Sequence, residues 1–248
     1  MNYIDAHIHI GDCIDFKLLP DVVHCSSCHT EQEFLLVESL SKEFPQKVVA
    51  CFGIHPQNPD VRLFPLLEKL AQEQRIVAVG EAGFDFFTPE LAATWDKQRE
   101  VWQLQLELAQ RHQLPLVIHC RRAMDKIFLY CKDLKKLPAV VFHAFPGSRQ
   151  EAENLLRRGV EGYFSFGKEL LRGRKNSIGC VQELPLERLL AETDAPYQTL
   201  RNQESTLPQD IKLVYQEFAM LRGVHEDEIK NPLEKNFQRI FTGKKNNF

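Results

Sequence analysis

The chain predicts a TIM-type (β/α)8 barrel, an α/β fold, whose first helix is shortened or missing. Three observations predict it. Strand-like and helix-like segments alternate from end to end, eight strand-like runs fit within 248 residues, and five of the runs lead into a metal-binding side chain. Ligands from strands one, four, five, six and eight meet only if the strands stand in a ring. A doubly wound open sheet, the alternative, places its site at one crevice between strands.

The first strand spans residues 3–9 and ends in D-A-H-I-H. Side chains alternate along a strand, so His7 and His9 share a face, where two imidazoles can grip one ion. About ten residues separate it from the second strand at 21–25. That is too few for a full crossover helix, which with its connections needs roughly ten to twelve at least. Strands three to eight follow at 47–53, 76–80, 116–119, 139–142, 161–165 and 188–192. The fourth runs into Glu81 (V-G-E), the fifth ends in His119 (V-I-H), the sixth abuts His143 (V-F-H), and the eighth leads to Asp194 (E-T-D). Their apolar, β-branched composition suits strands buried on both faces. Helical periodicity marks residues 63–74, 89–112 and 149–158, and residues 208–222 and 226–241 read as closing helices. The terminal G-K-K-N-N-F reads as a frayed basic tail.

Nothing in the composition divides the chain: no Pro/Gly/Ser-rich linker interrupts it, so residues 1–248 read as one domain. A net charge of -3 and a pI near 6.3 give no global attraction for polyanions, so nucleic-acid binding needs a local patch. No run reaches membrane-spanning length and the start lacks a signal peptide, which points to a cytoplasmic protein and, without heptads or an exposed apolar stripe, a monomer. Seven cysteines, an odd count, favour reduced thiols. The segment C-S-S-C-H at 25–29 matches a haem-attachment pattern, but without a signal peptide or a second pair it reads as ordinary thiols at a strand end.

The metal reading rests on joint occurrence. A lone histidine is usually a hydrogen-bonded core or surface residue, and His24, His29, His112 and His225 fall in that class. His7, His9, His119 and His143 each end an apolar strand, and Glu81 and Asp194 stand at equivalent places. This mixed nitrogen and oxygen set can hold two divalent ions. It suits Zn, Mn, Fe, Co or Ni better than the all-oxygen cages of Mg or Ca, although occupancy follows availability and Mg stays among the candidates.

Six ordered motifs carry a resemblance. I-D-A-H-I-H at 4–9, F-G-I-H-P at 52–56, G-E-A-G-F-D at 80–85, P-L-V-I-H-C-R at 115–121, F-H-A-F-P-G-S at 142–148 and E-T-D-A-P-Y at 192–197 resemble the TatD family, metal-dependent hydrolases of the amidohydrolase superfamily that include DNases. The likeness extends to N-F-Q-R-I-F at 236–241. It implies that His7, His9 and Asp194 bind the first ion, that Glu81 bridges both, and that His119 and His143 complete the second. Asp5 and Glu192, each two residues before a ligand, should point inward one layer deeper and orient it. His55 and Asp85 lie in matching motifs and are expected to line the substrate side. Two places depart from the family: residues 11–46 are short, and Q-T-L-R-N-Q-E-S after Tyr197 lacks the usual proline-rich continuation. The ligand set survives both departures, while specificity carried over from DNases does not follow from it.

The chemistry then expected is hydrolysis. A water bridging two cations loses a proton near neutral pH, and the hydroxide can attack phosphorus or carbon. Asp194 is the candidate to accept or relay the proton, with Glu81 holding both ions, and Arg121 can contact a phosphate oxygen. Lys168, Arg172, Arg174 and Lys175 cluster after the seventh strand and could track a phosphate backbone. Phe84, Phe86 and Phe87 could stack bases, although core is the simpler reading. A deoxyribonuclease or phosphodiesterase acting on DNA, or on RNA, is the leading function. A carbonyl hydrolase such as a D-aminoacyl-tRNA deacylase and a non-catalytic metal protein remain open.

Overall fold

Eight parallel strands hydrogen-bond in sequence order in the computed structural model, which describes residues 2–242. They are β1 (Tyr3–Ile8), β2 (Val22–Cys28), β3 (Val48–Phe52), β4 (Ala78–Asp85), β5 (Leu116–Arg121), β6 (Val140–Phe142), β7 (Gly162–Phe166) and β8 (Leu189–Ala191). The ring closes where Asp194 N donates to His7 O at 2.9 Å and His9 N to Ala195 O at 2.8 Å. The fold is the expected TIM-type barrel. The basic tail falls outside the described residues.

The helices are α1 (Glu31–Glu43), α2 (Phe64–Gln72), α3 (Pro89–Ala92), α4 (Trp95–His112), α5 (Met124–Leu129), α6 (Cys131–Leu134), α7 (Arg149–Arg157), α8 (Lys175–Glu183), α9 (Ile211–Arg222) and α10 (Glu226–Phe241). Only a 3-10 turn, Ile10–Asp12, lies between β1 and β2, so the first helix is missing as the spacing implied. The helical run expected over 89–112 is split in two. Buried Gln98 explains the break: its amide nitrogen donates to Leu91 O at 2.8 Å and Asp85 O at 3.0 Å, and its Oε1 accepts from Asp85 N at 2.9 Å, so one side chain satisfies backbone groups of the turn and of the strand end.

Two clusters of buried apolar side chains divide the core. Ile4, Val23, Cys25, Val49, Cys51, Val117, Val141, Tyr163 and Leu190 pack together inside the ring, where Phe237, Ile240 and Phe241 of α10 join them. The larger cluster lies between strands and helices and includes Phe52, Phe84, Trp102, Phe142, Phe164 and Phe218. Among the described residues no helix is long and apolar enough to cross a membrane, and all seven cysteines are free.

Strand pairing is irregular at two places that matter. Register shifts fall between Asp5 and Ile8 on β1 and between Val79 and Ala82 on β4, the stretches that hold His7 and Glu81. Such irregularities re-aim side chains at barrel rims. Gly83 makes the close approach of β4 to β5 possible, because at its φ of 148° an added Cβ would lie 1.9 Å from His119 O. Gly83→Ala is therefore expected to destabilise by at least about 1–3 kcal/mol. Gly179→Ala, in α8 with nothing near its Cβ, should instead stabilise by about 0.5–1 kcal/mol. Urea unfolding of the two variants checks both signs.

Candidate metal centre

Strand parity builds the site. Val117 then His119 on β5, and Val141 on β6 then His143 just past its end, carry the interior phase of the barrel up to its C-terminal mouth. The irregular β1 and β4 bring His7, His9 and Glu81 to the same level. Asp194, in the left-handed region at φ 56°, completes the ring from the β8 side. His7, His9, Glu81, His119, His143 and Asp194 are all buried.

Glu81 is the centre of the arrangement, and its two oxygens face different histidines. Oε2 lies 3.3 Å from His7 Nε2, 3.2 Å from His9 Nε2 and 3.1 Å from His29 Nε2. Oε1 lies 2.7 Å from His143 Nε2, 3.3 Å from His119 Nδ1 and 3.7 Å from His55 Nε2. Asp194 Oδ1 adds a second carboxylate at 3.6 Å from His7 and 3.4 Å from His9. His143 joins the two halves, since its ring stacks on that of His7 at 4.0 Å.

The donor set fits divalent cations. His119 turns Nδ1 to Glu81 and Nε2 to Asp85 Oδ2 at 3.0 Å, while His143 turns Nε2 to Glu81 and Nδ1 toward Glu192 Oε1 at 3.6 Å. In the His119 ring the outer carboxylate fixes a proton on Nε2 and leaves the Nδ1 lone pair aimed at the centre, and His143 presents its Nε2 to the same carboxylate oxygen of Glu81. These lone pairs converge: His7 Nε2 is 3.2 Å from His9 Nε2, and His119 Nδ1 is 3.3 Å from His143 Nε2. Neutral nitrogens and carboxylate oxygens at such distances need positive charge between them. Protons supply some of it. Burial disfavours a charged His9, but hydrogen bonds with Asp194 and Glu81 outweigh it and raise the ring to about 10. Burial likewise opposes a charged His143, and Glu81 and Glu192 lift it well above the usual range. Burial opposes the Glu81 anion too, yet the rings of His143, His7 and His55 hold its carboxyl well below the normal range.

Around this core the sequence expectations fare unequally. Glu192 stands behind His143, accepting from Ala144 N at 2.9 Å and from the Ser165 hydroxyl. Asp5 does not touch a histidine of the centre. It accepts from Thr193 N at 2.8 Å and Thr193 Oγ1 at 2.7 Å and faces His24, so it fixes the segment that presents Asp194. Asp85, expected on the substrate side, is fully buried behind His119, because β4 continues to that residue and its carboxylate meets His119 Nε2. Gln57 Nε2 donates to it at 2.7 Å. His55 does reach the cavity wall. Gln57 N donates to its Nδ1 at 3.2 Å, which leaves the proton on Nε2, facing the centre; burial and the His119 ring keep it neutral, well below the usual histidine range.

The centre is the floor of an open cavity of about 1190 Å3 whose wall includes Arg121, Arg122, Arg172, Arg174, Lys175 and Tyr197. Arg121 lies 3.9 Å and Arg122 4.6 Å from the ring centroid of Phe87, which is 44 % exposed. Phe84 is core. Lys168, expected in the basic rim, is instead fully buried and ion-paired to Asp210 at 2.6 Å. Two wall residues escaped the sequence reading. His29, grouped with the ordinary histidines, faces Glu81; Glu169, after β7, is buried with its carboxyl raised to about 7 by burial and by the charge of Glu192.

A ring of parallel strands with four strand-end histidines and two acids at its mouth defines a metal-dependent hydrolase barrel of the amidohydrolase type. Residues 4–242 match the family model for TatD related DNase, and the chain belongs to the TatD family. It is 30 % identical over 266 residues to an uncharacterized metal-dependent hydrolase of Mycoplasma pneumoniae, covering 97 % of this chain and 100 % of that one. Identity to the 3'-5' ssDNA/RNA exonuclease TatD of a Rahnella species is 30 % over 228 residues, covering 85 % and 83 % of the two chains. Among solved structures, the TatD homologue YjjV of Escherichia coli matches with a TM-score of 0.83 and 27 % identity over 97 % of this chain and 98 % of that one.

Proposed function

We propose that this hydrolase is a two-ion phosphodiesterase that cleaves DNA or RNA. The observation that carries the reading is the position of Glu81, with three imidazole nitrogens before each carboxylate oxygen, beneath a cavity wall bearing four arginines and Lys175. A chain of net charge -3 has concentrated cations where a phosphate backbone would enter. The exonuclease activity named for the Rahnella relative supports the same substrate class.

His7, His9 and Asp194 would hold one ion, His119 and His143 the other, and Glu81 both. When bound, the ions supply a water acidic enough to attack near neutral pH and positive charge for the phosphoryl oxygens. The chain's own residues do the rest. Asp194, at the mouth and 8 % exposed, accepts the proton of the attacking water. Arg121, steadied by Phe87 and 3.6 Å from Asp85, offers its guanidinium to a non-bridging oxygen. His55 Nε2 lies 3.3 Å from His119 Nδ1, and with that lone pair given to an ion its proton would be free to meet the reacting phosphate. Glu169, protonated in part near neutral pH, stands on the same wall to return a proton to the leaving oxygen.

The test is cleavage of single-stranded DNA, double-stranded DNA and RNA after chelation and add-back of Mg, Mn, Zn or Co. Restored cleavage, at least about 100-fold weaker in His119→Ala, is expected, since even loss of a residue behind a ligand costs 10–100-fold. No cleavage of any nucleic acid or of bis-p-nitrophenyl phosphate, by protein shown to hold two ions, would refute phosphodiester chemistry. The same centre would then be tried on carbonyl substrates, beginning with D-aminoacyl-tRNA.

A further inference from the structure

His29 is not among the six ligands that the resemblance implies, yet it is built as one. It sits just past β2 and immediately before Thr30, whose hydroxyl caps α1 by accepting from Glu33 N at 3.2 Å. Glu33 in turn accepts from His29 N at 2.7 Å, which fixes the backbone from which the ring projects. The ring itself is held from behind, with Nδ1 3.3 Å from Gly53 O. A carbonyl oxygen can only accept, so Nδ1 carries the proton. The lone pair of Nε2 then points at Glu81 Oε2, 3.1 Å away. Two acceptors facing each other at that distance require a cation between them or a second proton on the ring. The rings of His9 and His55 crowd the same spot, with centroids 5.4 Å and 5.0 Å from that of His29.

His55 provides the contrast. It stands beside the centre, with Nε2 3.7 Å from Glu81 Oε1, but its Nδ1 accepts from Gln57 N, so its proton faces inward and its lone pair is spent. Of the two additional imidazoles around Glu81, only that of His29 has a free lone pair aimed at it.

We propose that His29 is a seventh metal ligand, joining His7, His9, Asp194 and Glu81 on the first ion. The two positions are then unequal. The first would have three imidazole ligands, while the second would keep His119, His143 and Glu81. A third imidazole also biases the first position toward Zn, Co or Ni and away from Mn or Mg. The proposal rests on the two-ion reading but not on the identity of the substrate.

The experiment is zinc content per chain, measured by elemental analysis across a series of chelator strengths, on the intact protein and on His29→Ala and His29→Gln, with the visible spectrum of the cobalt(II) forms. The expected result is two ions in the parent protein, one held tightly, and in His29→Ala an affinity for that ion at least about 100-fold lower, beyond the cost of losing an outer partner. The cobalt absorption should change with the number of ligands. Should His29 instead be a protonated ring paired with Glu81, its removal deletes a positive charge beside the ion and affinity holds or rises. Unchanged or tighter binding in both variants, with an unchanged cobalt spectrum, overturns the proposal. Failure of the parent protein to bind two ions overturns the two-ion reading together with it.

Discussion

Glu81→Gln is expected to reduce metal affinity by more than about 100-fold and to take hydrolysis with it. The substitution keeps the size and shape of the side chain and removes only its charge. What remains is a buried cluster in which six imidazoles converge on a neutral amide, and Asp194 is the carboxylate left among them. With the two ions proposed above, each would lose an anionic ligand at once, because the two oxygens of Glu81 face separate sets of nitrogens. Removing a residue that merely orients a ligand costs 10–100-fold, and a shared ligand must cost more. The loss has a thermodynamic counterpart that needs no substrate. An ion that binds only the folded chain stabilises it by about 2.7 kcal/mol when present at 100 times its Kd. Added zinc should therefore raise the melting temperature of the parent protein and leave that of Glu81→Gln nearly unmoved. An equal zinc-induced shift in both proteins would show that Glu81 does not hold the ions.

The barrel and most of its centre were legible because strand periodicity and chemistry coincide. On β5, β6 and β8 the interior phase runs unbroken through Val117, Val141 and Leu190 to the polar residues above them, so an apolar run followed by a histidine or acid reads directly as a wall and its rim. Reading failed where a strand outran its apolar segment. Hydrophobicity alone ends the second strand at Cys25, yet it continues through Ser26 and Ser27 to Cys28. Those serines are polar for local reasons: Ser27 Oγ meets His7 Nδ1 at 3.3 Å and Ser26 Oγ accepts from Ile10 N at 3.2 Å. Carried to its true end, the strand puts His29 in phase with Val23, Cys25 and Ser27, the signal that would have found it. Asp85 was misplaced in the same way, because β4 extends five residues beyond the expected end at Gly80. Lys168 illustrates a different limit. A lysine in a basic run looks solvated, and only a distant acid, 42 residues on, explains its burial.

That acid makes Lys168→Met the largest expected loss of stability, about 3–5 kcal/mol, the range for breaking a buried ion pair by removing one partner. Lys168 is fully buried, and its ammonium has three protons to place. Asp210 Oδ2 and Gln203 Oε1 take it at 2.6 Å each, and Thr206 Oγ1 at 3.1 Å. Methionine fills the space but leaves Asp210, 8 % exposed, as an unpaired carboxylate with only Leu207 N donating to it, at 3.1 Å. The cost therefore lies in the stranded charge rather than in the pair itself. Lys168→Met combined with Asp210→Asn should recover more than half of the lost stability, since a buried pair replaced as a unit is often close to neutral. Denaturant unfolding of the two single variants and the double variant measures this directly. A cost below about 1 kcal/mol for Lys168→Met would mean that the pair behaves as an exposed one. The lysine, next to Glu169 in the chain, is tied to the segment that follows Asp194 and Tyr197, so its removal should also loosen one side of the cavity. Zinc affinity should stay near that of the parent protein, because the Lys168 ammonium is held by Gln203, Thr206 and Asp210 and by no residue of the histidine cluster, and that pairing of lost stability with retained metal separates a structural clamp from a ligand.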